Sequence, residues 1–144
     1  MSFRTLLGFC TLLVGLTAGL MVSVPLSAET VQWRGYDIHY TTFNSLLIPQ
    51  EVAQAHNIVR SKYRIVTNVS ILKQGDPNPA TVTGFNTNLL NQLFQMEFDE
   101  VTEKSAIYYL SNQLIDERDS LRFTITVQPF GENEAYELKF MRQY

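Results

Sequence analysis

The two histidines of the chain are the residues best suited to bind a metal ion or to act as a general base. His39 and His56 are the only histidines, and the only cysteine is Cys10. On a β-strand, Asp37 would share a face with His39, because side chains two positions apart point the same way. The interval between the two histidines matches no recognised ligand spacing. We therefore predict no metal site and no cofactor, and keep as the alternative a small metal- or ligand-dependent enzyme using Asp37, His39 and His56.

Hydrolytic chemistry also lacks a recognisable arrangement in this sequence. No nucleophile-elbow pattern surrounds Ser45, which we expect to cap backbone groups together with Asn44. Glycoside hydrolysis needs one carboxyl group in an apolar setting. The acidic residues of this chain occur in two clusters that resemble solvated surface. The first cluster contains Glu97, Asp99, Glu100 and Glu103, and the second contains Asp116, Glu117 and Asp119. The sequence predicts that the protein is not an enzyme.

A basic row is the best candidate contact surface. Arg60, Lys62 and Arg64 recur at every second position, so on a strand they would share one face. Such a row could meet lipid headgroups, an anionic glycan or an acidic partner. The interpretation that we favour is cross-strand pairing with Glu97 and Asp99, which are also spaced by two. If the two rows do not face each other, the basic residues form the predicted binding site.

The first twenty-eight residues are typical of an export signal. Arg4 provides the positive start, Leu6–Val22 the apolar run, and Ala28 a small residue suited to cleavage. We predict a signal peptide over residues 1–28 and one domain over residues 29–144. The alternative is that the apolar run stays as a membrane anchor.

The composition that remains after cleavage excludes several classes of protein. Loss of Arg4 leaves 10 Lys and Arg against 14 Asp and Glu, a net charge of −4 with neutral histidines. A mildly acidic domain has no electrostatic reason to bind nucleic acid. Loss of Cys10 leaves no cysteine, which excludes disulfides, thiolate metal sites and cysteine nucleophiles.

Alternation with period two dominates the chain after residue 31 and predicts strands with one buried face. The clearest strand places Leu121, Phe123, Ile125 and Val127 on one side. Residues 106–115 fit a helix or a strand, and we favour the strand because neighbouring sheet pairing overrides local propensity. The pattern predicts an all-β, immunoglobulin-like antiparallel sandwich of about seven strands, with one short helix near residues 49–56. A small barrel is the alternative. We expect the intersheet space to contain Trp33, Phe85, Phe94, Phe98, Phe123 and Phe140.

Several short motifs resemble a family of small exported bacterial proteins classified as a domain of unknown function. The resemblance covers most of the chain after the leader. In chain order, the motifs are His39-Tyr40, Phe43-Asn44-Ser45, Pro49 with Val52-Ala53, Arg60-Ser61, Asn68, Asn88-Leu89-Leu90, Ala106-Ile107-Tyr108-Tyr109 and Leu121-Arg122-Phe123. The resemblance implies export and a β-sandwich-like domain, and it carries over no catalytic residue.

Together these features predict a secreted, periplasmic domain that works by binding. We expect the partner to be another envelope protein or a peptide, bound at a sheet edge or a loop cluster, because exposed edges accept an added strand. Contact with the membrane is expected only if the leader is not cleaved. The sequence does not predict the oligomeric state.

Overall fold

Ten β-strands in two antiparallel sheets form the framework of residues 28–144, the part of the chain that the computed structural model describes. The predicted cleavage of the leader falls outside these residues and stays a prediction. In chain order, the strands are β1 (Glu29–Trp33), β2 (Tyr36–Asn44), β3 (Arg64–Lys73), β4 (Asp76–Pro77), β5 (Ala80–Thr87), β6 (Leu93–Met96), β7 (Asp99–Glu103), β8 (Ala106–Leu114), β9 (Ser120–Pro129) and β10 (Tyr136–Gln143). The first sheet has the order β1-β2-β3-β8-β7, with β4 paired to β3, and the second has the order β10-β9-β5-β6.

The two sheets pack face to face, which confirms the predicted antiparallel sandwich. Alternation along β9 buries Leu121, Phe123, Ile125 and Val127 almost completely. They share one core cluster with residues of the first sheet, among them Ile38, Val69 and Ile71. The predicted strand over residues 106–115 is confirmed as β8.

The sequence over residues 31–43 predicts one strand that can break near Gly35, and the structure has this break, because two residues with positive φ turn the segment into a hairpin. Trp33 pairs with Tyr36 across Arg34 and Gly35, whose φ values are 50° and 81°. Positive φ at both central positions is the geometry of the tight two-residue turn that matches the twist of paired strands. The same segment therefore contributes two neighbouring strands, β1 and β2.

The alternation of Phe94, Met96 and Phe98 predicts a single strand, and this prediction is wrong. Strand β6 ends at Met96 in the second sheet, and β7 begins at Asp99 in the first. The chain therefore crosses between the sheets at Glu97 and Phe98. This crossing removes the predicted acidic row, because Glu97 lies in the connection and Asp99 lies on β7.

The predicted short helix is confirmed as α1 (Gln50–Ala55), which covers part of the outer face of the first sheet. Pro49 precedes it, and Asn57 follows it with a φ of 54°. A second apolar cluster joins Ile48, Ala53 and Ile58 to Val66 of β3. Strand β3 is therefore buried on both faces at this point.

The aromatic core is smaller than predicted. Phe123 is buried and stacks on Phe140, with ring centroids 4.7 Å apart, while Trp33 and Phe98 pack at the margin of the core. Phe94 is 42% exposed. The sixth predicted member, Phe85, alternates with the buried Gly84 and Asn86 and belongs to the opposite face of β5.

Polar contacts join the sheets at one edge and in the interior. Arg142 of β10 contacts Glu29 of β1 at 2.5 Å, and Glu29 also accepts a hydrogen bond from the hydroxyl of Tyr40 at 2.6 Å. Inside the sandwich, the side-chain amides of Asn86 and Gln113 donate to each other. The β1 and β10 edges are therefore linked to each other.

Alkaline pH is expected to weaken the sandwich through Tyr40. Burial, together with the hydrogen bond to Glu29, raises the pKa of Tyr40 to about 12. The unfolded phenol has a pKa of about 10. The neutral hydroxyl therefore contributes stability below about pH 10, and this contribution is lost as the pH rises towards about 12. Urea unfolding of the wild type and Tyr40→Phe across this range should show a steeper decline for the wild type, and parallel curves would contradict the assignment.

Candidate functional site

The predicted basic row does not form, because β3 begins only at Arg64. Arg60 donates to the carbonyl of Leu46 at 2.9 Å, and the ammonium of Lys62 lies 4.5 Å from the ring centre of Tyr63. Arg64 donates to the side chain of Asn112 at 2.5 Å. Within residues 28–144, none of the three makes a salt bridge with Glu97 or Asp99. The pairing that we favoured is therefore wrong, and binding by these three residues stays a prediction.

The two histidines occupy different environments. His39 lies on β2, and its Nδ1 is 2.7 Å from the hydroxyl oxygen of Thr30 on β1. His56 ends α1 and lines a groove on the outer face of the first sheet. In the described part of the chain, no three His, Cys, Asp or Glu residues come together as a possible metal site. Asp37, His39 and His56 therefore do not form a ligand set there.

The turn around Ser45 has a structural role. Ser45 is fully buried, and its hydroxyl donates to the carbonyl of Ser61 and accepts from the Ser61 amide. The side chain of Asn44 accepts from the amide of Leu46 at 2.9 Å, which caps the 3-10 turn Ser45–Leu47. The predicted capping by Asn44 is confirmed, and the Ser45 hydroxyl is inaccessible to a substrate.

An apolar groove of about 280 Å³ lies between α1 and the outer face of the first sheet. Its lining comes from the α1 segment and from four strands of that sheet. The lining residues are Phe43, Leu47, Ile48, Pro49, Val52, His56, Ile58, Asn68, Val101, Glu103, Tyr108 and Leu110. The groove exists because α1 covers the sheet at Val66 and leaves the sheet towards β7 uncovered.

Two polar side chains, Asn68 and Glu103, distinguish one part of this groove from the mainly apolar remainder of its lining. The side-chain oxygen of Asn68 is buried and has no hydrogen-bond partner in the described residues. Asn68 lies on β3, an inner strand of the first sheet, so its side chain does not serve backbone groups at a sheet edge. Glu103 is the only acidic residue of the lining and lies on β7. An occupant of the groove would therefore meet a carboxylate at the β7 side and lie above a buried acceptor that has no partner in the described residues.

Strand β7 places this groove next to an open sheet edge. It is the last strand of the first sheet and pairs only with β8 among the described residues. Asp99, Val101 and Glu103 alternate along it and share the face that lines the groove. An edge strand presents unpaired amide and carbonyl groups to any added strand. Groove and edge thus form one continuous surface, which we call the β7 surface.

A second concavity, of about 440 Å³, opens at one end of the sandwich. It is lined by Lys62, Tyr63, Asp116, Glu117 and Arg118, together with Asn44, Ile115 and Tyr144. The hydroxyl of Tyr63 donates to the carboxylate of Glu117 at 3.1 Å. Its lining is mixed in charge and selects no ligand class.

Sequence reasoning missed the β7 surface because its members come from distant segments. A partial signal was present: Asp99, Val101 and Glu103 alternate acidic and apolar types, as expected for a strand face. The strand predicted from Phe94, Met96 and Phe98 stops just before β7. The local sequence gives no sign that the chain changes sheet between Met96 and Asp99.

None of the helices in the described residues is both long and apolar enough to cross a bilayer.

Comparison with known proteins identifies relatives but no activity. A family model described as a domain of unknown function, DUF4426, matches residues 30–144. No curated protein matches the sequence. Among solved structures, a DUF4426 family protein from Pseudomonas aeruginosa PAO1 shares 36% identity and covers 81% of this chain and 94% of its own, with a TM-score of 0.75.

Two structures of FetP from uropathogenic Escherichia coli strain F11 share the fold. A copper-bound variant has 10% identity and a TM-score of 0.59, and covers 81% of this chain and 93% of its own. The protein as isolated after expression in the periplasm has 9% identity and a TM-score of 0.58, and covers 81% and 92%. At these identities the similarity extends to the fold alone.

Proposed function

Because this chain belongs to the DUF4426 family of unknown function, we propose a role from its geometry: an exported, non-enzymatic binding protein that accepts an extended segment of an envelope protein at the β7 surface. The observation that carries the proposal is the apolar groove that opens beside an unpaired edge strand. Export rests on the leader-like residues 1–28. The periplasmic expression of FetP, which has the same fold, agrees with this compartment.

Strand addition would use both parts of the β7 surface. The main chain of the added segment would pair with the open edge of β7, and alternate side chains would lie over Val101 and the groove. An apolar side chain of the added segment would fill the groove. Edge hydrogen bonds provide affinity, while the groove selects among sequences.

Charge selects the chemistry of the partner. The outward row of β7 reads acidic, apolar, acidic at Asp99, Val101 and Glu103. In the described residues, neither of these two carboxylates makes an ion pair. Charged edges resist indiscriminate pairing with other strands. A segment with basic residues on either side of an apolar one would complement this row.

Site-specific photocrosslinking in intact cells tests this role. A photoreactive amino acid at Val101 should capture a protein partner, and the same group at Thr126, on β9 of the other sheet, should not. Glu103→Lys should reduce capture at Val101 by about tenfold, because a like charge then faces a basic partner. N-terminal sequencing of this protein, purified from the same cells, reports whether its leader was removed.

The result that would count against the proposal is equally specific. Equal capture from Val101 and Thr126 would show non-specific proximity. Capture that Glu103→Lys leaves unchanged would refute a basic partner. Absence of any captured protein at Val101 in cells that express the protein would refute strand addition.

A further inference from the structure

A group of exposed apolar side chains lies where β5 turns into β6, and none of them belongs to the β7 surface. Leu89 and Leu90 are 63% and 78% exposed, and Leu93 and Phe94 are 60% and 42% exposed. We call these four residues the leucine tip. Soluble proteins rarely expose contiguous apolar patches unless the patch meets a partner or a membrane.

The leucine tip is held in place by a buried asparagine. The side-chain oxygen of Asn88 accepts from the amides of Leu90 and Gln92, at 3.0 and 2.9 Å. Its side-chain nitrogen donates to the Gln92 side chain at 2.7 Å. Asn88 itself is only 4% exposed. The loop therefore presents its two leucines from an ordered base.

Charge is absent from the tip and positive beside it. The segment from Ala80 to Met96 contains no Asp, Glu, Lys or Arg. Arg122 of β9 donates to the side chain of Asn91 in the tip loop at 2.7 Å. Across the second sheet, pairing aligns Leu93 with Thr87, Thr87 with Arg122, and Arg122 with Met141. The apolar tip thus continues into a row with a guanidinium at its centre.

A shallow concavity of about 420 Å³ lies on the same face, beside the tip. Arg122, Lys139 and Met141 are among its lining residues. Lys139 is paired with Glu137 at 2.5 Å, whereas Arg122 has no ion pair in the described residues. A guanidinium binds phosphate oxygens through two parallel hydrogen bonds. Arg122 is therefore the cation available to an anionic group.

We propose that the leucine tip docks this protein on a lipid surface, with Leu89 and Leu90 in the acyl boundary and Arg122 against headgroup phosphate. Uncharged, protruding leucines suit the apolar boundary of a bilayer, where they leave no polar group unpaired. A neighbouring cation adds attraction to anionic lipids within a Debye length of the surface. This docking is independent of strand addition at β7, because the two surfaces share no residue.

Vesicle sedimentation tests the proposal with the protein purified from the periplasmic fraction, in the same processed form for every variant. Vesicles of phosphatidylglycerol and phosphatidylethanolamine should bind the wild type. Leu89→Ser with Leu90→Ser should lower the partition coefficient about tenfold or more, because two leucines leave the acyl boundary. Arg122→Gln should lower binding to these vesicles and leave binding to phosphatidylcholine vesicles unchanged.

Matched variants separate docking from general surface hydrophobicity. Leu114→Ser with Phe130→Ser removes side chains that are 65% and 78% exposed elsewhere, and should leave vesicle binding unchanged. Arg60→Gln removes an exposed basic residue of the sequence-predicted row and should also be neutral.

Three outcomes would overturn the proposal. The first is a wild type that binds neither vesicle, and the second is equal loss in both double-serine variants. The third is a photoreactive group at position 90 that crosslinks in cells to a protein instead of to lipid, since this would make the leucine tip a protein interface.

Discussion

Replacement of Gly84 by alanine is expected to destabilise the fold by about 3 kcal/mol or more, at the upper end of the cost of overpacking a core. Gly84 lies on β5, and a Cβ atom built there would stand 2.8 Å from the backbone oxygen of Thr124 and 3.2 Å from Ile125. A backbone atom of a central strand cannot rotate away as a side chain can. Strands β5 and β9 would have to separate, and their separation would disturb the core between the sheets.

Urea unfolding followed by circular dichroism measures this effect. Thr83→Ala is the matched control, because Thr83 is the exposed neighbour on the opposite face of β5. It should change the free energy of unfolding by less than about 0.5 kcal/mol. A Gly84→Ala protein as stable as Thr83→Ala would contradict the close approach of β5 and β9.

Replacement of Phe123 by alanine is expected to cost about 3–5 kcal/mol, the range for removing a buried phenylalanine. Phe123 is 1% exposed and stacks on Phe140 at an interplanar angle of 11°. Because a domain of this size is stabilised by only about 5–15 kcal/mol, much of that stability would be lost. No disulfide would offset this loss, because the only cysteine of the chain, Cys10, lies in the predicted leader.

The same phenylalanine-to-alanine change at Phe130 provides the control. Phe130 is 78% exposed in the turn after β9, so Phe130→Ala should leave the unfolding midpoint nearly unchanged. Both variants are compared in urea at constant pH and protein concentration. Similar midpoints for the two variants would show that Phe123 does not anchor the core.

The positions of the two proposed surfaces follow from the different ways in which the two sides of the sandwich are closed. At one side, Arg142 and Glu29 link β10 to β1, and Arg34 contacts Glu134 at 2.6 Å. At the other side the chain crosses between the sheets, which leaves β7 as an edge of the first sheet and β6 as an edge of the second. The β7 surface and the leucine tip both lie along these two strands. A protein segment and a lipid surface would therefore be bound by different sheets.

The strands with strict alternation were predictable, because burial of one strand face requires apolar residues at every second position. In the segment from Leu121 to Val127, this pattern identifies the buried face without any information about the neighbouring strands. The helix after Pro49 and the positive φ of Asn57 are equally local, since proline and asparagine have intrinsic backbone preferences. The family membership that the motifs from His39 to Phe123 indicated is confirmed by the match over residues 30–144.

The candidate sites were not predictable, because each joins distant residues that only strand pairing within one sheet, or the placement of α1 over the first sheet, brings together. Val101 meets Phe43 and Val52 in one groove only because β7 pairs with β8 and α1 lies over Val66. Arg122 reaches Asn91 only through the pairing of β9 with β5. The basic row failed for the same reason, since regular spacing creates a face only where the backbone is a strand, and β3 begins at Arg64. The sequence alone thus determined the class of fold, because burial acts on neighbouring positions, whereas tertiary pairing decided where the proposed binding surfaces lie.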